Sequence, residues 1–256
     1  MQSIKSEIIK NIRVADEYFI LIVKNKQLAK KIKPGQFFSI RVISDGFDPL
    51  LGRPISVFDV NGDEISFLYK ISGRGTEILS KQKEGIFLTT IGPLGNGFDV
   101  NSDAENIALI GGGVGMPPLY YLAKYYSNKN ITFFYGGRSK EHILFLDNWY
   151  NLANVKLVLT TDDGTIGDRG MVITPYERYL KDGGFDMVFA CGPTPMLKAI
   201  DTLSLQYKQS GQISLEARMA CGVGACLACV CPTVDGGKKR ICADGPAFSF
   251  GELSWS

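Results

Sequence analysis

Read in chain order, the 256 residues predict a multidomain protein, all-β and then α/β: an antiparallel β-barrel, a doubly wound parallel sheet, and a small C-terminal unit organised by cysteines. Three observations carry this. Residues before about position 100 hold six short β-branched or aromatic runs punctuated by turn residues. From Asp103 onward, apolar strands alternate with helical segments. Four of the six cysteines then fall at Cys221, Cys226, Cys229 and Cys242. The expected boundaries give units 1–101, 102–211 and 212–256.

Composition sets the outer limits. With 45% hydrophobic and 21% charged residues and a net charge of +2, the chain has the balance of an ordinary globular protein and lacks the basic footprint of a nucleic-acid binder. The longest apolar passage, 107–123, is interrupted by Gly111, Gly112, Gly113, Gly115, Pro117 and Pro118, which argues against a membrane span. Residues 1–11 show no apolar signal segment, so a cytoplasmic protein is expected.

Barrel strands are expected at 7–14, 18–23, 36–42, 54–60, 64–70 and 86–91, bounded by turns such as Lys33-Pro34-Gly35, Asn61-Gly62-Asp63 and Gly92-Pro93-Leu94-Gly95. One helix is expected over 76–82. Arg53-Pro54-Ile55-Ser56 places a guanidinium and a hydroxyl at a strand start. Arginine can hold a phosphate bidentately, and serine can bond the ring or ribityl oxygens of a flavin. Glycines leading into a helix, as in Gly73-Arg74-Gly75-Thr76, expose N–H groups to a pyrophosphate. The alternative is an arginine in a surface pair beside a glycine-rich hairpin.

In the second unit, strands are expected at 107–110, 131–135, 155–160 and 187–190, with helices over 116–126 and 195–207. Ligands of such sheets lie beyond the carboxyl ends of the strands. There the sequence places Gly111-Gly112-Gly113-Val114-Gly115, Gly136-Gly137-Arg138, Thr161-Asp162-Asp163-Gly164 and Cys191-Gly192-Pro193. The first run permits close approach of a pyrophosphate to a helix start, although it is not a GxGxxG fingerprint. Arg138 keeps a 2′-phosphorylated nucleotide open. Cys191 either packs near a nicotinamide ring or is a small buried hydrophobe. The single histidine, His142, reads as structural or surface.

The spacing C-x4-C-x2-C-x12-C matches the ligands of a plant-type [2Fe–2S] cluster. The small residues Gly222, Val223, Gly224 and Ala225 would let backbone N–H groups turn toward the sulfurs. Zinc, which favours paired cysteines or a Cys/His mixture, and structural thiols remain as alternatives. Cys231, on an expected strand just beyond Cys229, reads as a buried free thiol.

The order of parts, RPxS and GxGT in a barrel, GGGVG and CGPxPM in a nucleotide unit, then the cysteine run, resembles the ferredoxin–NADP reductase superfamily. Within it, the chain looks like the electron transfer subunits of NAD-dependent dihydroorotate dehydrogenases. The likeness spans essentially the whole chain and is most specific over 219–229 and 242–248, where Ala228 and Ala247 replace a glycine and a valine usual in that family.

The resemblance implies FAD on Arg53, Pro54, Ile55 and Ser56, with Leu68, Tyr69 and Lys70 along its ring and ribityl chain and Gly75 and Thr76 at its phosphates. It implies a [2Fe–2S] cluster on Cys221, Cys226, Cys229 and Cys242, and NAD over Gly112, Gly113 and Gly115, near Cys191. It also implies a partner, an FMN-containing catalytic subunit that oxidises dihydroorotate in pyrimidine biosynthesis, in a heterotetramer of two of each. Electrons would pass from that FMN through the cluster and FAD to NAD+. A cluster takes single electrons and NAD+ a hydride, so a flavin is needed between them. This chain shows no distinct acid–base constellation, which places the dihydroorotate chemistry on the partner. Ala247, Phe248, Phe250, Leu253 and Trp255 are candidates for the docking surface, or else cover the cluster. The competing readings are a small subunit of another ferredoxin- or sulfide-type NAD(P)H oxidoreductase, and a redox-sensing regulator.

Overall fold

The structure, a computed structural model, describes residues 3–42, 48–100 and 103–255. Six strands, β1 (Ser3–Ala15), β2 (Tyr18–Lys24), β3 (Phe37–Arg41), β4 (Arg53–Asn61), β5 (Glu64–Lys70) and β6 (Phe87–Leu94), close into an antiparallel barrel in the order β1-β2-β5-β4-β3-β6. Period-two alternation drives Leu21, Ile40, Val57, Ile65 and Phe67 into its interior. Gly62, with φ 59°, supplies the left-handed turn that lets Asn61 pair with Glu64.

Two short helices interrupt the barrel, α1 (Lys26–Ala29) and α2 (Arg74–Ser80). The first was not expected; the Asn25 side chain accepts from Leu28 N–H at 3.1 Å and caps it. The second starts two residues before the expected 76, because Thr76 Oγ1 donates to Gly73 O at 2.9 Å and accepts from Ser72 N–H at 2.9 Å, closing the turn around its start.

The second sheet is built from β7 (Asn106–Gly112), β8 (Asn130–Gly137), β9 (Val155–Thr161), β10 (Asp168–Arg169), β11 (Met187–Cys191) and β12 (Gly211–Ser214), all parallel, in the order β10-β9-β8-β7-β11-β12. The helices α3 (Met116–Tyr125) and α4 (Leu146–Tyr150) pack on one face with Leu109, Phe133 and Trp149. The other face, with Ile110, Phe134 and Tyr176, is covered by α5 (Ile173–Lys181) and α6 (Thr194–Gln206). Neighbours along β7 therefore serve opposite cores, as a doubly wound sheet requires. Sequence reading missed α4, β10 and β12, which are short, and α5, whose amphipathic pattern it passed over.

The C-terminal unit holds a hairpin of β13 (Val230–Pro232) and β14 (Lys238–Arg240), followed by β15 (Ala247–Ser249). That last strand pairs antiparallel with β12 and becomes the edge of the nucleotide sheet. The boundary expected between 211 and 212 falls within β12; the boundary between 101 and 102 lies outside the described residues. Ala247, Phe248 and Leu253 are buried, with Phe250 and Trp255 packed against their core, so these residues cover the sheet edge and the cysteine turn instead of forming a docking face.

The barrel and the nucleotide sheet meet through α3. Phe58 of β4 stacks on Tyr120 at 4.7 Å, and Lys124 Nζ reaches both carboxylate oxygens of Asp59 at 2.6 and 2.8 Å. Among the described residues, no helix is long and apolar enough to cross a membrane. Aromatic burial outweighs the partly exposed ion pair at this joint. In urea unfolding, Phe58→Ala is expected to cost about 3 kcal/mol and Lys124→Met about 1 kcal/mol. The opposite ranking would mean that the ion pair holds the units together.

Candidate functional site

The segment carrying the first three cysteines is an irregular loop. Gly222 (φ 70°), Gly224 (φ 79°) and Leu227 (φ 59°) take left-handed backbone and curl it around its own interior. Its amides point at sulfur: Val223 N–H and Cys226 N–H donate to Cys221 Sγ at 3.4 Å, and Gly224 N–H donates to Cys242 Sγ at 3.1 Å. Cys242 N–H donates to Cys229 Sγ at 3.4 Å. The Val223 amide leads in holding the Cys221 thiol down to about 6, whereas burial pushes Cys242 up to about 12.

Backbone amides link the four cysteines in two pairs, Cys226 N–H to Cys221 Sγ and Cys242 N–H to Cys229 Sγ. Two pairs of amide-decorated sulfurs suit two irons, each taking two thiolates. Cys231 is turned away, its Sγ donating to Lys239 O at 3.5 Å, and is half-buried where full burial was expected.

On the barrel, the Arg53 guanidinium lies against Gly75, so closely that a Cβ there would collide with Arg53 Nη1. The Thr76 hydroxyl is engaged in the turn before α2, which leaves its backbone N–H for a ligand. Strand alternation sends Ile55 into the barrel and leaves Pro54 and Ser56 on its outer surface. On β5, Leu68 faces the nucleotide unit, with Lys70 on the same side. Tyr69 points the other way. Its hydroxyl donates to Asn11 Oδ1 at 2.9 Å, burial pushes its phenol up, and only its backbone is offered to the outer face.

A cleft of about 760 Å³ runs along the carboxyl ends of the parallel strands. It begins at Tyr18 and Lys70 of the barrel, passes Gly112, Gly113, Gly115, Gly192 and Pro193, and ends at Arg138, His142, Thr160 and Asp162. Gly115 has no substitute, because a Cβ would run into the Cys191 carbonyl. Cys191 is itself 1% exposed, so it supports this floor from behind, and burial pushes its thiol up. Thr160 Oγ1 is buried at the cleft without a protein hydrogen bond, an orphaned polar atom that a nucleotide would satisfy. Asp163 is committed to Thr165 N–H and Oγ1 at 3.0 and 2.7 Å, whereas Asp162 lines the cleft. His142 sits at the rim with Nδ1 3.0 Å from Ser139 Oγ.

Sequence reasoning missed Tyr18 and Glu216. Tyr18 pairs with Lys70 in the β2–β5 register, and Lys70 Nζ lies 5.6 Å from its ring centroid. Glu216 follows β12 and presents its surface to the cleft, while the surrounding walls push its carboxyl up from the ordinary range. Its signal was an acidic residue just past a strand, legible only once β12 is known.

Two predictions follow from this geometry. Cys226→Ser should abolish visible iron–sulfur absorption while Cys231→Ser retains it; equal loss in both would refute the ligand set. Because Glu216 binds its proton more tightly in the folded chain than in the unfolded one, its contribution to stability is full below its ordinary value of 4.5 and is lost as pH rises through the raised value. The melting temperature of Glu216→Gln should therefore gain on that of the parent as pH goes from about 5 to about 8. A pH-independent difference would show that the carboxyl titrates normally.

Comparison with known proteins agrees with this geometry. Residues 216–254 match the iron-sulfur cluster binding domain of dihydroorotate dehydrogenase B, and residues 109–202 match the oxidoreductase NAD-binding domain. The chain is 39% identical over 247 residues to the dihydroorotate dehydrogenase B (NAD(+)), electron transfer subunit, of Clostridium acetobutylicum, covering 96% of this chain and 95% of that one. Its identity to the subunit of the same name from Bacillus velezensis is 38% over 253 residues, 95% of this chain and 96% of the relative. Among solved structures, a chain of the NADH-dependent reduced ferredoxin-NADP oxidoreductase superposes with a TM-score of 0.86 at 31% identity, over 98% of this chain and 90% of that one. The cytochrome b5 reductase domain of Ulva prolifera nitrate reductase shares the fold, with a TM-score of 0.66 at 18% identity, over 81% of this chain and 93% of that one. The chain belongs to the family of electron transfer subunits of NAD-dependent dihydroorotate dehydrogenase B.

Proposed function

We propose that this chain carries electrons from the FMN of a dihydroorotate-oxidising catalytic subunit to NAD+, in a heterotetramer of two subunits of each kind. One observation carries the reading. The cysteine loop meets the barrel at β3 and β6 and the nucleotide cleft meets it at β2 and β5, on either side of β4. A Cβ on Gly222 would meet Leu94 at 3.3 Å and Ser39 at 3.7 Å, and Ser39 pairs with Pro54 of β4. The cleft opens onto Lys70 of β5, and β4, which bears Arg53 to Ser56, lies between β5 and β3 in the barrel.

Bound FAD supplies the exchange between a two-electron hydride and the single electrons of an iron–sulfur centre. The chain's own groups divide the remaining work. Arg53 and the N–H groups of Gly75 and Thr76 hold the pyrophosphate; Pro54, Ile55 and Ser56, with Leu68, the Tyr69 backbone and Lys70, seat the ring and ribityl chain. Gly112, Gly113 and Gly115 admit the NAD phosphates, and Cys191 buttresses them. Thr160 and Asp162 meet the ribose hydroxyls, and the Asp162 charge disfavours a 2′-phosphate. Cys221, Cys226, Cys229 and Cys242 hold the cluster.

The catalytic subunit docks over the exposed apolar residues of the cysteine region, Val223 (40%), Leu227 (59%) and Val230 (40%). All six cysteines are free thiols, in keeping with a reducing, cytoplasmic setting. A second reading, favoured by the 31% identity to a chain of the ferredoxin-NADP oxidoreductase, gives the same subunit a different large partner.

The deciding experiment is anaerobic purification of the tagged chain with its native partner, assayed for dihydroorotate-dependent NAD+ reduction. Turnover is the expected result. Its absence from a preparation that retains flavin and cluster and oxidises NADH with dyes would favour the second partner. Arg53→Ala should lose most of its FAD on desalting while keeping iron and sulfide; full flavin retention would remove Arg53 from the phosphate site.

A further inference from the structure

The sequence Lys238-Lys239-Arg240 sets three cations beside the fourth cysteine ligand, and they are used differently. Lys238 and Lys239 are exposed, and Lys239 pairs with Glu252. Arg240 is half-buried and turned to the cysteine loop. Its Nε and Nη2 donate to the two carboxylate oxygens of Asp244 at 2.9 and 2.8 Å, and its backbone N–H donates to the same carboxylate at 2.7 Å. This fork fixes the guanidinium plane and directs Nη1 to Gly224 O at 3.2 Å.

Gly224 is thereby held from both ends, since its N–H donates to Cys242 Sγ at 3.1 Å. A Cβ at Gly224 would meet Ala243 at 2.8 Å and Arg240 Nη1 at 3.1 Å, so the contact leaves no slack. The Arg240 carbonyl accepts from the N–H groups of Ala243 and Asp244 at 3.1 and 2.7 Å, closing the turn that carries Cys242. One residue thus ties the first-ligand loop to the fourth-ligand turn. Its guanidinium is separated from Cys242 Sγ by the single peptide neighbourhood of Gly224, and its charge is balanced by Asp244 on the other side.

We propose that Arg240 is a positioning residue of the iron–sulfur centre that also raises its reduction potential, with Asp244 as its counterweight. Reduction adds a negative charge to the sulfur-rich centre, and a cation clamped between the loop and the turn that carry its ligands favours that state. Removing the cation makes the centre harder to reduce; removing its counter-ion makes it easier.

The inference rests on the cluster reading, which has its own readout, two irons and two sulfides in the parent chain. The test is an anaerobic redox titration of the intact cofactor-loaded complex, followed by the EPR signal of the reduced cluster. Arg240→Gln should shift the midpoint negative and hasten loss of iron to a chelator. Arg240→Lys, which keeps the charge but loses the fork, should hold the midpoint while also releasing iron faster. Asp244→Asn should shift the midpoint positive. An unchanged midpoint in Arg240→Gln at full iron content would overturn the proposal. Should Arg240→Gln fail to hold a cluster, a midpoint in Asp244→Asn that stays put or moves negative would overturn it equally.

Discussion

The backbone from Cys242 to Ser249 belongs to three structures at once, and the relation of the sites hangs on it. Cys242 closes the cysteine set. Immediately after it, Gly245 O accepts from Asn96 N–H at 2.8 Å and Asp244 O accepts from the Asn96 side chain at 2.9 Å, which ties the turn to the barrel. Pro246 O accepts from Leu215 N–H at 3.0 Å, and Ala247 to Ser249 then pair with β12 of the nucleotide sheet. Gly95 meets this turn so closely that a Cβ would touch Pro246 Cδ at 2.5 Å. Hydrogen bonds made in this way are directional and follow one another along a single turn, so the loop, the barrel and the sheet have little freedom to shift against one another.

That rigidity explains the division of polar groups. Sulfur is met by amides of the loop itself, and on the proposed reading Arg53 and the N–H groups beside Gly75 would meet the flavin phosphates. The nucleotide cleft is instead lined by glycines and by isolated polar groups, Thr160, Asp162 and Glu216. Groups that must be held permanently are clamped by main chain and arginine; a ligand that must leave after each turnover is met by fewer and weaker contacts.

The sequence made local features legible and obscured those that depend on distant partners. Turn residues such as Gly62 and the β-branched runs marked all six barrel strands, and the cysteine spacing marked the cluster before any fold was known. β12 and β15 were lost because each is short and stabilised mainly by pairing with a strand far away in sequence. For the same reason Phe248 and Leu253 could be read either as a docking surface or as a cover over the cluster, and their burial decides for the cover. A motif can name Tyr69 without revealing that alternation sends its ring to Asn11 inside the barrel. Glu216 carried no signal at all without the strand that aims it.

The central claim is that nicotinamide, flavin and cluster sites form one electron route within this chain. Anaerobic titration of the isolated, cofactor-loaded subunit with NADH, followed by EPR, tests it most directly. The account predicts a reduced [2Fe–2S] signal in the flavin-replete protein and none after flavin is removed. Flavin bleaching by NADH with no cluster signal, under a reductant strong enough to reduce the same cluster directly, would contradict it.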